Sequence, residues 1–185
     1  MIKDLLTPEK IQQIKTHPVY KPYLENINSI IEKHGDSPLP DLKYSDYRLC
    51  VVTGNRDKYE KPYFDRRSIL LAYAIRYIFY RNPDDLVALQ DIIWEICGEF
   101  TWALPAHILQ VPDDRPDLVS VWIDLFAAET GASLAEIYDI LKDEFEPRIN
   151  ERIKYELNRR IIDSYSVNYF NDFENGLSNW AAVCA

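Results

Sequence analysis

Three shortages narrow the reading of this 185-residue chain. Cysteine and histidine are scarce, with three copies of each. Cys50, Cys97 and Cys184 lack metal-ligand spacing and the histidines stand far apart, so neither a structural zinc site nor any other cofactor is expected. Positive charge is also short: 21 Lys and Arg against 30 Asp and Glu leave a net charge of −9. Nucleic acid demands a basic footprint and is therefore not an expected partner. Long apolar runs are missing too. No stretch approaches the ~18 residues of a membrane-spanning helix, so no membrane partner is expected. Met1-Ile2-Lys3-Asp4 opens the chain without a signal-peptide stretch. With an odd number of thiols this points to the cytoplasm, or to the periplasm or exterior if a signal has been removed.

What is present is an apolar fraction of 47%, enough for a packed core, with 13 Tyr and 4 Trp. One domain is the default at this length, and two small ones are compatible with it. Such aromatics usually fill cores or interfaces. In a carbohydrate-active protein some stack on the apolar C–H faces of sugars.

Helical signals run almost throughout. Thr7-Pro8-Glu9 reads as an N-cap followed by Pro at the first helical position. A second helix is expected from Pro18, with Tyr20, Tyr23, Leu24, Ile27, Ile30 and Ile31 on one stripe and Gly35 at its end. Residues 36–63 lack this period. They read as a lid or an external wrap, with a short strand at Leu49–Val52. From Asp65 to Tyr80 the chain is apolar nearly all round, as in a helix buried on every side. Asn82-Pro83-Asp84-Asp85 starts another helix, closed by Gly98. A Trp- and Pro-rich connection runs to Pro116. A largely apolar helix over Leu118–Thr130 should stop at Gly131, with Ser133-Leu134-Ala135-Glu136 boxing the start of the next. Pro147 opens a long helix with Ile149, Ile153, Leu157 and Ile161 in register. About seven helices follow from these signals. The class is all-α, with buried and amphipathic helices alternating as in hairpins stacked into a ring or solenoid. No fixed-period repeat is present.

Four stretches within residues 45–185 resemble, in order, the heparinase II/III-like family of polysaccharide lyases. They are Tyr63-Phe64-Asp65-Arg66-Arg67; Trp94-Glu95-Ile96-Cys97 with Trp102-Ala103-Leu104-Pro105-Ala106-His107; Ile123 to Gly131 with Leu134-Ala135-Glu136-Ile137-Tyr138; and Leu177-Ser178-Asn179-Trp180 to Cys184. The resemblance implies an incomplete (α/α) toroid. Residues 1–62 would supply N-terminal helices and a long loop packing on it, and 63–185 its first half, truncated at the C-terminus. The family's β-sandwich would lie outside this chain. The apolar ending likewise reads as a chain cut inside a helix or buried turn.

The implied chemistry is β-elimination at a uronic acid, so the implied partner is an acidic poly- or oligosaccharide. A base takes the C5 proton, the C4 oxygen leaves, and the carboxylate of the enolate-like intermediate must be neutralised. Asn179 matches the neutralising Asn. Ser178 stands where the family often has another Asn, and Trp180 where some members have His. Trp102, His107 and Trp180 would line the sugar cleft. The family's catalytic Tyr and later His would lie past residue 185, so turnover by this fragment is not expected. A bare toroid edge would also offer copies a surface for homo-oligomerisation.

Plainer roles stand beside each of these. Asn179 could cap a turn, His107 could be structural, Trp102 could plug the end of a hairpin, and Cys184 could be a small core residue. Arg66, Arg67, Arg76 and Arg81 are the candidates for local positive charge in an otherwise acidic protein. Asp124 and Glu129 could suggest the carboxylate pair of a glycoside hydrolase on a similar toroid. Five residues apart on a helix they diverge by more than ~100°, which favours capping or pairing with Arg. A non-catalytic helical module that binds glycan or protein is the remaining alternative.

Overall fold

The computed structural model describes residues 2–167, apart from Asp36, Gln110, Pro112 and Asp113. Of the described residues 77% are helical and none is in a strand, so the chain is all-α. Asn179, Trp180 and Cys184 lie outside the described residues.

Helices α1 (Pro8–Thr16) and α2 (Lys21–His34) start and stop near the expected signals. The Thr7 hydroxyl accepts from the Lys10 amide at 3.3 Å. A single 3-10 turn, Pro18–Tyr20, leads into α2, and Gly35 ends it at φ 53°. The stretch after Gly35 departs from expectation. Leu49–Val52 is not a strand: α3 (Tyr44–Tyr47) and α4 (Leu49–Thr53) are short helices. Helix α5 then begins at Asp57 and runs unbroken to Tyr80, carrying Pro62 inside it. Its first two turns are missed by an apolar count because their buried stripe is Tyr59, Tyr63 and Arg66. Those side chains fall at i, i+4 and i+7, a helical stripe made of polar-tipped residues. The expected boundary between residues 62 and 63 thus falls within α5, and α2 joins the main core through Ile31.

Helix α6 (Pro83–Cys97) follows after two residues. Arg81 takes the left-handed conformation, φ 56°, and Asn82 caps by accepting from the Asp84 amide at 3.1 Å. Helix α7 (Pro105–Ile108) is one turn. The apolar stretch after it divides differently from its sequence signals. Pro116–Val121 is a 3-10 turn, and α8 runs from Leu125 to Leu141 straight through Gly131 and Ser133. Gly131 is not a stop; it is the point where another helix comes closest. A Cβ there would lie 2.8 Å from Ile161 Cγ1. Helix α9 (Pro147–Leu157) continues through a π-turn at Asn158–Ile162 into α10 (Asp163–Val167). The core lies where α5 packs on α2 and α6, and α9 on α6 and α8.

Candidate functional site

His107 sits on α7, which Leu104-Pro105 starts. Its Nδ1 lies 2.6 Å from Asp124 Oδ2. Asp124 immediately precedes α8 and caps it: Oδ1 accepts from the Phe126 and Ala127 amides at 3.1 and 2.7 Å, while Oδ2 also accepts from the Leu104 amide at 3.1 Å. One buried carboxylate therefore ties the start of α8 to the loop that carries His107. The imidazole stacks on Phe126, with centroids 5.9 Å apart and planes 9° apart, and its side chain is 29% exposed. The hydrogen bond to Asp124 raises the His107 pKa above its ordinary value, against the opposing effect of burial; Arg56 lowers it and Glu60 raises it. Phe126 meets Phe64 edge-on at 5.0 Å, and Phe64 meets Tyr63 at 5.3 Å. A cavity of about 160 Å³ opens on this aromatic cluster, lined by Tyr63, Phe64, Arg67, Phe126, Thr130 and Ser133 among others.

Trp102 does not line a cleft. It is 1% exposed, its indole N–H donates to the Ile96 carbonyl at 3.0 Å, and the Arg160 guanidinium covers the ring at 4.9 Å. With no face left for a sugar, it is a core residue beside Tyr63 of α5 and Ile96 of α6. Tyr63 is similarly committed. Its hydroxyl donates to the Trp102 carbonyl at 2.6 Å, and burial pushes its pKa up to about 12. Cys97 is a buried free thiol, also pushed by burial to about 12.

None of the four arginines considered for a cationic cleft is left without a carboxylate. Arg66 Nε and the Arg67 guanidinium converge on Glu99 at 2.6–2.8 Å. Arg76 pairs with Asp85, and Arg81 with Glu144 at 2.6 Å. A larger groove, about 1040 Å³, runs between residues 37–42, α5 and α6. Asp41, Asp91 and Glu95 line it, beside the exposed Trp94 and Phe100. Asp124 and Glu129 do not face each other as a hydrolase pair: the first is buried as a cap and the second is exposed. Among the described residues no group of three or more His, Cys, Asp or Glu is placed to hold a metal ion.

The Asp124–His107 pair was not visible in the sequence, where 17 positions separate its members. In the sequence Asp124 falls inside the expected Leu118–Thr130 helix, where capping or pairing with Arg is the favoured role and nothing points to His107. Glu99 carried no signal at all.

Compared with known proteins, the chain matches no family model and no curated sequence.

Proposed function

We propose that this chain belongs to a heparinase II/III-like lyase that cleaves uronic-acid-containing glycans by β-elimination, its helices forming part of an incomplete (α/α) toroid. The carrying observation is the His107–Asp124 pair: a half-exposed imidazole held by a buried carboxylate on an aromatic floor, in the loop that the resemblance assigns to the cleft. The stacked Phe126 and edge-on Phe64 offer apolar surface of the kind sugar rings use. The glycan lies on this face. The larger groove is unsuited to it, because Asp41, Asp91 and Glu95 repel a polyanion. Asn179 neutralises the substrate carboxylate, and Trp180 lines the cleft beside it.

Calorimetry of this chain with short oligouronates, alongside Asn179→Ala and His107→Ala, tests the proposal. Binding weakened in both variants supports it. Absence of binding to any uronate defeats it, whereas release of unsaturated sugar by this chain, read by ultraviolet absorbance, supports the lyase chemistry directly.

The second reading is a non-catalytic helical module for a glycan or protein. It is favoured by the pairing of Arg66, Arg67, Arg76 and Arg81 and by the acidic groove with exposed Trp94 and Phe100. Binding of uncharged glycans or basic peptides, with oligouronates ignored, selects it.

A further inference from the structure

The cap on α8 holds more than a helix end. Three backbone amides, of Leu104, Phe126 and Ala127, donate to Asp124. Backbone N–H groups can only donate, so both Asp124 oxygens accept from them. An ionised Asp124 has no proton to give, so in that state its fourth partner, His107 Nδ1 at 2.6 Å from Oδ2, supplies the proton between them. A neutral imidazole holding its proton on Nδ1 has its lone pair on Nε2. Stacking against Phe126 at 9° sets the ring plane, and 29% of the side chain stays exposed.

We propose that Asp124 is a positioning residue that locks His107 with Nδ1–H turned inward, and that Nε2 is the atom this site presents to the carboxylate of an acidic sugar. The ligand half rests on the lyase reading; the positioning half does not. When protonated, the ring offers Nε2–H as a charge-assisted donor to a carboxylate. Asp124 keeps the opposite edge occupied, so the ring cannot turn that donor inward. This also supplies a cationic group at a face where the nearby arginines are already bound, Arg56 by Glu60 and Arg67 by Glu99.

The test is long-range ¹H–¹⁵N spectroscopy of the labelled chain, free and with glucuronate, mannuronate and galacturonate oligosaccharides or their methyl esters. At alkaline pH the expected signature is a protonated Nδ1 and a pyridine-like Nε2. Asp124→Asn keeps an N-cap acceptor but turns an amide N–H₂ toward Nδ1, so the tautomer is expected to switch to Nε2–H. If that variant does not fold, the native ring pattern alone decides the positioning half. An Nε2–H tautomer in the native chain overturns it. A shift at Nε2 with an acid sugar and none with its ester supports the ligand half. Calorimetric binding of an acid sugar with Nε2 unmoved overturns that half and leaves the lyase reading standing. No binding of any acid sugar removes both the ligand half and the lyase reading, while the positioning result still stands or falls by the tautomer.

Discussion

Glu99→Gln is the sharpest perturbation of this fold, because it removes one negative charge from between two guanidinium groups. The Glu99 side chain is 4% exposed; Arg66 and Arg67 are 5% and 13% exposed in their side chains. Glutamine preserves the shape and one acceptor oxygen. Arg66 keeps the Pro40 carbonyl at 3.0 Å, and Arg67 keeps the Thr130 hydroxyl at 3.3 Å and the Tyr63 ring at 3.6 Å. What is lost is the carboxylate charge shared by both cations, leaving Arg66 only the exposed Glu95 at 3.9 Å. Breaking a buried ion pair from one side costs ~3–5 kcal/mol. The oxygen that glutamine retains places the expected loss at the lower end, about 3 kcal/mol. For a chain of this size that lowers the Tm by roughly 6–12 °C. Urea denaturation followed by circular dichroism and tryptophan fluorescence measures it, with Glu151→Gln as the control. Glu151 pairs with Arg148 in open solvent, both side chains more than half exposed, and its removal should cost less than ~0.5 kcal/mol. If Glu99→Gln costs under ~1 kcal/mol, the charges are solvated and the burial argument fails.

Three further outcomes are expected. Gly131→Ala, which in an open helix would gain ~1 kcal/mol, should instead cost about 1–2 kcal/mol net in urea denaturation, because its Cβ meets Ile161; Ile161→Val should relieve part of that cost. Trp102→Phe should lose about 2 kcal/mol, read by thermal denaturation, from the vacated volume and the lost indole donor to the Ile96 carbonyl, which keeps the Glu99 amide at 3.2 Å. The histidines give opposite pH dependences. His107 has a raised folded pKa, so its contribution is complete below its ordinary value near ~6.5 and fades as pH rises through the folded value. His34, lowered by burial, weakens the fold as pH falls below that same ordinary value. Urea midpoints of the native chain, His107→Gln and His34→Gln across about pH 5–8 separate them: the first variant flattens the alkaline decline, the second the acid one.

The all-α class was legible because capping residues and apolar periodicity agreed at α1, α2, α6 and α9. The boundaries that failed did so for identifiable reasons. Around Tyr59, Tyr63 and Arg66 the buried stripe is polar-tipped, so an apolar count reads loop where α5 has already started. At Gly131 a residue that commonly ends helices is needed for close packing against Ile161, a contact thirty positions away in sequence. The site was legible only as residue types. His107 stood out, but Asp124 drew attention as a carboxylate rather than as a clamp, and Arg66 and Arg67 read as available charge because Glu99 could not be placed against them. Pairings of this kind come from tertiary contact and leave no local pattern.

Arg160 bears on the order in which the site is assembled. From the π-turn its guanidinium donates to the carbonyls of Glu99 at 2.5 Å, Phe100 at 3.3 Å and Ser120 at 3.1 Å. Those carbonyls bracket the segment that contains α7 and His107. Donors to those three carbonyls are therefore supplied by chain synthesised forty or more positions later. On a nascent polypeptide the segment bearing His107 should therefore gain these bonds only after α9 and the π-turn have docked, later than the pairing of α5 with α6. A chain truncated ahead of Arg160 is expected to keep the α5–α6 hairpin while the His107 segment loses protection in hydrogen exchange.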